Sequence, residues 1–63
     1  MKKYAYTFVI SRMVIWYRRF EKKYGVPTDK EQRQALYRFL GGHPENASIR
    51  CWSEWCHYRI ENF

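Results

Sequence analysis

Apolar residues recur at helical spacing through the first 24 positions of the chain, and this repeat constrains the fold more than any other feature. It predicts one amphipathic helix over about 3–24, ended by Gly25, which tolerates the left-handed backbone of a helix stop. The main alternative is a β-strand over 3–10, where large side chains alternate with smaller ones, but a strand leaves the rest of the repeat unexplained. At about 100° per residue, one arc of the helix carries the following side chains: Tyr6, Val9, Ile10, Met13, Trp16, Tyr17, Phe20 and Tyr24.

Two further helices are predicted after the first one. Thr28 and Glu31 have the spacing of a capping box, which places the start of a helix over 29–40. Gly41 and Gly42 end that helix, and the third helix is predicted over 47–61, after Pro44. The predicted buried residues are Ala35, Leu36, Phe39 and Leu40 on the second helix, and Ile49, Trp52, Trp55, Cys56 and Ile60 on the third.

A chain of 63 residues is long enough for one small domain, so we expect residues 1–63 to form a single all-α, compact three-helix domain. The aromatic content of 21% excludes an intrinsically disordered chain, because disorder requires low hydrophobicity. No apolar run is long enough for a membrane span, and no small-residue cleavage site follows the basic start. We therefore expect a cytoplasmic protein, for which membrane association is the least favoured interpretation.

The net charge of +6 is confined to the first segment of the chain. Residues 1–24 contain seven basic residues and one acidic residue, whereas residues 25–63 contain five of each. Such asymmetry points to an anionic partner, although a small apolar protein also uses charge to remain soluble. The predicted binding residues are Lys2, Lys3, Arg12, Arg18, Arg19, Lys22 and Lys23, all on the polar side of the first helix or just before it.

Three large apolar side chains accompany these cations. On the helical wheel, Phe8 and Ile15 lie among the basic residues, and Trp16 lies at the edge of the apolar stripe. Apolar residues among exposed charges indicate either a second buried face or a binding surface. We interpret all three as apolar anchors of the same face. Trp16 and Tyr17, just before Arg18, offer a further possibility, an aromatic–basic platform for stacking on bases.

The residues that usually carry chemistry form no catalytic or metal-binding pattern. Cys51 and Cys56 are five residues apart, about 140° around a helix, so we expect two free thiols that serve as packing residues. With His43 and His57 they make at best an irregular ligand set, without the paired spacing of a zinc site. We expect no enzyme activity, no cofactor, no metal and no small-molecule substrate.

Two functions fit this set of features. The leading hypothesis is a small basic helical protein that contacts the nucleic-acid backbone through the cationic face of its first helix. The alternative is a protein-binding inhibitor or adaptor, of the kind encoded by phages or mobile elements, that docks on an acidic surface of a host nucleic-acid-handling protein. Sequence-specific base reading is not expected, because the polar face of the third helix has two Glu and one Arg. The oligomeric state is left open by the sequence.

Overall fold

The computed structural model describes residues 6–41 and 45–63, which form three helices. They are α1 (Thr7–Tyr24), α2 (Asp29–Leu40) and α3 (Glu45–Asn62), and each of them packs against the other two. The all-α, three-helix fold predicted from the sequence is therefore confirmed.

The first helix begins later than the apolar repeat predicts. Residues 3–5 lie outside the described part of the chain, Tyr6 is the non-helical N-cap, and Thr7 is the first helical residue. The backbone N–H of Tyr6 donates a hydrogen bond to the Glu54 carboxylate on α3 at 3.1 Å. This contact between residues far apart in sequence satisfies an amide at the helix start, where no side chain of α1 caps it. The alternative of a strand over 3–10 is wrong for residues 7–10, because Thr7 to Ile10 form the first turn of α1.

The two ends of α2 follow the sequence signals, whereas the end of α1 at Gly25 does not. Gly25 has a positive φ of 96°, but its ψ of −175° is extended, so α1 does not end in the predicted left-handed stop. Thr28 forms the predicted capping box: its hydroxyl accepts the Glu31 backbone N–H at 3.2 Å, and its own backbone N–H donates to the Glu31 carboxylate at 2.9 Å. Gly41 ends α2 in the left-handed conformation, at φ 65° and ψ 34°. Both ends of α2 are thus satisfied locally.

The described core lies where the three helices meet. Trp55 is its largest fully buried side chain, and Met13 and Leu36 from the other two helices are also fully buried. The predicted stripe of α2 is buried apart from Phe39, which is half-buried. The buried apolar residues are Val9, Ile10, Met13 and Tyr17 of α1, Ala35, Leu36 and Leu40 of α2, and Cys51 and Trp55 of α3.

The predicted buried face of α3 is wrong in part. Trp55 is buried, but Ile49 and Ile60 are 66% and 80% exposed, and Trp52 and Cys56 are only half-buried. Apolar side chains cover more than half of the circumference of α3, from Tyr58 through Trp55 to Ile60, so periodicity does not select which part of this broad face is buried. The inward direction follows instead from the contacts that Trp55 makes with α2. The helix itself begins two residues earlier and ends one residue later than the predicted 47–61, a difference within the usual uncertainty of helix boundaries.

A polar network, buried at Gln32 and Trp55 and exposed at Asp29, joins α3 to the start of α2. The Trp55 indole N–H donates to the Gln32 side-chain oxygen at 2.8 Å, and Gln32 donates its own amide to the Pro27 carbonyl at 2.8 Å. The Arg59 guanidinium donates to the same Gln32 oxygen at 2.5 Å and to the Asp29 carboxylate at 3.3 Å. We call this cluster of Gln32, Trp55, Arg59 and Asp29 the α2–α3 junction. Within the described residues, every buried side-chain nitrogen and oxygen has a hydrogen-bond partner, as expected when an unpaired buried polar atom is costly.

Candidate binding site

An open groove of about 460 Å³ runs along the outer side of α1 and is bounded on its far side by Phe39 of α2. We call it the α1 groove. Its position follows from helical spacing, because residues three and four apart lie on the same side of a helix. The groove contains two kinds of side chain, apolar and cationic, and among its lining residues, all in the described part of the chain, none is acidic. The lining residues are Arg12, Ile15, Trp16, Arg19, Phe20, Lys23, Tyr24 and Phe39.

A continuous row of aromatic rings lies along the groove. Trp16 and Phe20 have ring centroids 5.2 Å apart, and Phe20 and Tyr24 have centroids 5.0 Å apart. The three rings are tilted with respect to their neighbours and follow each other at four-residue intervals. Tyr24, at the open end of the row, is 67% exposed, although the apolar repeat predicts it on the buried stripe. The row therefore offers aromatic surface to a ligand as well as packing against the core.

Three cations accompany the aromatic row. Arg12, Arg19 and Lys23 follow one side of α1 at intervals of seven and four residues, and each of them is exposed. The Lys23 ammonium lies 5.2 Å from the centroid of the Tyr24 ring. At the C-terminal end of α1, Lys22 and Lys23 also face the negative end of the helix dipole. Positive charge is thus concentrated beside a surface on which planar rings can stack.

The predicted basic residues do not all line the α1 groove. Arg18 lies outside the α1 groove, because its guanidinium is 5.0 Å from the centroid of the Phe63 ring at the end of α3. Lys22 is exposed but does not line the groove. Lys2 and Lys3 lie outside the described residues.

The predicted apolar anchors also differ from one another. Ile15 and Trp16 line the groove, and Ile15 is 56% exposed. Phe8 is 58% exposed one helical turn before Arg12 and does not line the groove. The predicted stacking platform of Trp16 and Tyr17 is wrong for Tyr17, which is 8% exposed and packs its ring 6.0 Å from that of Trp55.

Three groove residues were not among the predicted site residues. Phe20 and Tyr24 belong to the predicted buried stripe of α1, and Phe39 to that of α2. A signal for the first two exists in the sequence, since aromatic residues at 16, 20 and 24 repeat every fourth position beside cations at 12, 19 and 23. The contribution of Phe39 depends on how α2 packs against α1, and no local pattern reports that packing.

A second aromatic–cationic cluster lies between α2 and α3 and has a different character. Trp52 is half-buried, with the Arg33 and Arg59 guanidinium groups 5.0 and 5.7 Å from its ring centroid. The depression beside it has a volume of about 90 Å³, which is small compared with the α1 groove. Arg59 is already held by the α2–α3 junction, so this cluster serves mainly to join the two helices.

Both cysteine thiols are free, and they differ in their surroundings. Cys51 is buried, and burial, with a smaller contribution from the Glu54 carboxylate, raises the pKa of its thiol from 9.0 to about 11. Cys56 is half-buried, and its sulfur accepts a hydrogen bond from Arg59 at 3.6 Å. Across the described residues, no three His, Cys, Asp or Glu side chains are grouped so that they could hold a metal ion.

The helices of the described chain include none with the length and apolar character needed to cross a membrane. Comparisons of the chain with protein-family models, with curated proteins and with solved structures find no match. The function is therefore argued from the α1 groove itself.

Proposed function

We propose that this protein is a nucleic-acid-binding protein, and that phosphates contact Arg12, Arg19 and Lys23 along the α1 groove. The observation that supports this proposal is the combination of three cations and a row of aromatic rings in a groove whose lining includes no carboxylate. An anionic ligand gains from all three cations there and meets no acidic side chain in the lining. Aromatic rings beside cations are typical of surfaces that bind nucleic acids, which combine phosphate charge with planar bases.

Binding of this kind depends on salt and not on sequence. Each cation that neutralises a phosphate releases condensed counterions, which lowers the logarithm of the association constant by about 0.7–0.9 per tenfold rise in salt. Contacts from three cations predict that a plot of the logarithm of the association constant against the logarithm of the salt concentration has a slope of about −2 to −3. We call this the salt slope. The polar face of α3 remains poorly suited to reading bases, so we expect similar affinities for unrelated sequences.

The test is a comparison of two triple variants that have the same net charge. The groove variant replaces Arg12, Arg19 and Lys23 with Ala, and the control variant replaces Lys30, Arg38 and Arg50, which are exposed on α2 and α3. Each variant lowers the formal net charge from +6 to +3. Binding to a fluorescently labelled oligonucleotide is measured by anisotropy over a series of salt concentrations, and far-ultraviolet circular dichroism verifies the helical content.

We expect the groove variant to bind far more weakly and with a slope close to zero, because its phosphate contacts are lost. The control variant should retain most of the affinity and most of the slope. Equal loss in both variants would mean that net charge alone causes binding and that the α1 groove has no special role. An unmodified protein that binds no oligonucleotide at low salt would contradict the proposal as a whole.

A second candidate function is docking on an acidic protein surface, in the manner of an inhibitor or adaptor of a nucleic-acid-handling protein. The observation that favours it is the exposure of Phe8 and Ile15, 58% and 56%, beside the cations of α1. Large apolar side chains surrounded by charge are typical of the central anchors of protein interfaces. Affinity capture from lysate with and without nuclease separates the two functions. Partners that persist after nuclease and disappear when Phe8 and Ile15 are replaced by Ser would favour protein docking.

A further inference from the structure

We infer that the ligand of the α1 groove is an unpaired nucleic-acid strand, whose bases stack on the row formed by Trp16, Phe20 and Tyr24. This inference rests on the proposed function and specifies the class of nucleic acid. It predicts that the protein distinguishes single strands from duplexes, which the cations alone would not do.

Apolar side chains make up most of the groove lining. Cations account for three of the eight lining residues, and the other five are Ile15, Trp16, Phe20, Tyr24 and Phe39. A duplex presents phosphates and sugars on its outside and keeps the faces of its bases stacked inside. An unpaired strand exposes those faces, and each base has a π-surface that can stack on an aromatic side chain. The apolar lining thus matches a part of the ligand that only the single strand exposes.

The shape and size of the groove also favour a single strand. The groove is a concave space between α1 and Phe39 of α2, and its volume of about 460 Å³ lies within the range of pockets that hold small molecules. A space of this size admits individual bases. A duplex keeps its bases stacked inside and would offer only phosphates and sugars to the cations and rings of the groove.

The cations and the aromatic rings of the groove follow α1 side by side. At a rise of 1.5 Å per residue, the stretch of α1 from Arg12 to Tyr24 is about 18 Å long. Within this length the cations at 12, 19 and 23 accompany the rings at 16, 20 and 24 on neighbouring sides of the same helix. A strand that follows α1 can therefore place its phosphates on one row and its bases on the other. A row of charges beside a row of aromatic rings is the combination that single-strand-binding surfaces use.

The test uses three probes of equal length, each about 12 nucleotides, within the range of site sizes known for single-strand grooves. They are an oligothymidylate strand, a duplex of mixed sequence, and a strand of abasic deoxyribose phosphates. The abasic strand keeps the phosphates of the first probe and lacks its bases. We expect the protein to bind the oligothymidylate at least tenfold more tightly than either of the other two at the same salt concentration.

The variants separate stacking from charge. Tyr24→Leu keeps an apolar side chain at an exposed position and removes the ring, and the matched control is Tyr37→Leu, at a 53% exposed position on α2 outside the groove. Loss of one stacked base predicts an affinity for the single strand about 5- to 140-fold lower for Tyr24→Leu. The salt slope should not change, because no phosphate contact is lost. The Tyr37→Leu control should bind like the unmodified protein.

Other results of these measurements reject either the inference alone or the inference together with the proposed function. Equal affinity for all three probes, with an unchanged Tyr24→Leu variant, would overturn the inference while leaving the proposed function in place, since binding would then depend on phosphates alone. Preference for the duplex would also overturn it. Failure of the unmodified protein to bind any of the probes would reject the proposed function together with this inference.

Discussion

The α2–α3 junction and the α1 groove both contain tryptophan and arginine side chains and use them in different ways. At the junction, Trp55 is buried and both it and Arg59 donate hydrogen bonds to Gln32, while the Asp29 carboxylate pairs with Arg59. In the groove, Tyr24 is largely exposed and the lining, all of it within the described chain, includes no carboxylate. The contrast shows that residue type alone does not assign a role to a tryptophan or an arginine. What decides is whether its polar atoms and ring faces already have partners inside the protein.

The largest effect that this comparison predicts is at Trp55. Replacing it with Ala removes the largest buried side chain and should lower the free energy of unfolding by about 3–5 kcal/mol, most of the stability of so small a domain. Urea denaturation followed by circular dichroism measures the change. Trp52→Ala is the matched control, and we expect a smaller loss because that ring is half-buried. Equal losses in the two variants would remove the distinction between the junction and its surroundings.

A smaller effect is expected at Gln32, the acceptor shared by Trp55 and Arg59. Gln32→Ala leaves the buried indole N–H without its partner and should cost about 1–3 kcal/mol of unfolding free energy. Gln34→Ala, on the exposed side of the same helix, should change the stability by less than about 0.5 kcal/mol. A Gln32 variant as stable as the Gln34 variant would show that the hydrogen bonds of the junction contribute nothing net.

The two cysteines test whether the core beside the junction is closed to solvent. The raised pKa of Cys51, about 11, means that its thiol stays neutral and unreactive at pH 8, and burial blocks access as well. We expect a disulfide reagent to label half-buried Cys56 at least about tenfold faster than Cys51. Because burial disfavours the Cys51 thiolate, its contribution to stability is complete below pH 9.0 and decreases as the pH approaches 11. Equal labelling of the single-cysteine variants Cys51→Ser and Cys56→Ser at pH 8 would contradict this description of the core.

The smallest effects distinguish Arg18 from its neighbour Arg19. Arg18→Ala removes a cation from above the Phe63 ring and should lower the stability by no more than about 1 kcal/mol, without affecting oligonucleotide binding. Arg19→Ala should leave the stability unchanged and reduce the salt slope of binding by about 0.7–0.9. Both variants lose one positive charge, so they are controls for each other. Weaker binding in Arg18→Ala together with unchanged binding in Arg19→Ala would instead place the binding surface at the end of α3.

Local signals predicted much of the fold. The capping box of Thr28 and Glu31 set the start of α2, and the left-handed Gly41 its end, because both act over a few residues. The start of α1 was not predictable in this way, since it depends on the contact of Tyr6 with Glu54, 48 residues away. The inward face of α3 depends likewise on the hydrogen bond from Trp55 to Gln32. Both errors concern contacts between helices, which periodicity does not report.

The helical wheel accounts for part of the lining of the α1 groove. The helical wheel placed Arg12, Arg19 and Lys23 together on α1, and the structure shows all three in one groove. It placed Arg18 with them, although the end of α3 draws that side chain to Phe63. The wheel places Tyr24 on the buried stripe, although it is 67% exposed, because the wheel carries no information on how far along α1 the neighbouring helices reach.

The most direct test of the account follows the indole N–H resonances of the three tryptophans by NMR during titration with oligothymidylate, with assignments from single Trp→Phe variants. Trp16 lines the α1 groove, Trp55 is buried at the junction and Trp52 lies between α2 and α3. We predict that the Trp16 resonance shifts progressively with added strand while those of Trp55 and Trp52 stay in place. A titration that moves Trp52 and leaves Trp16 unchanged would contradict the assignment of the ligand to the α1 groove.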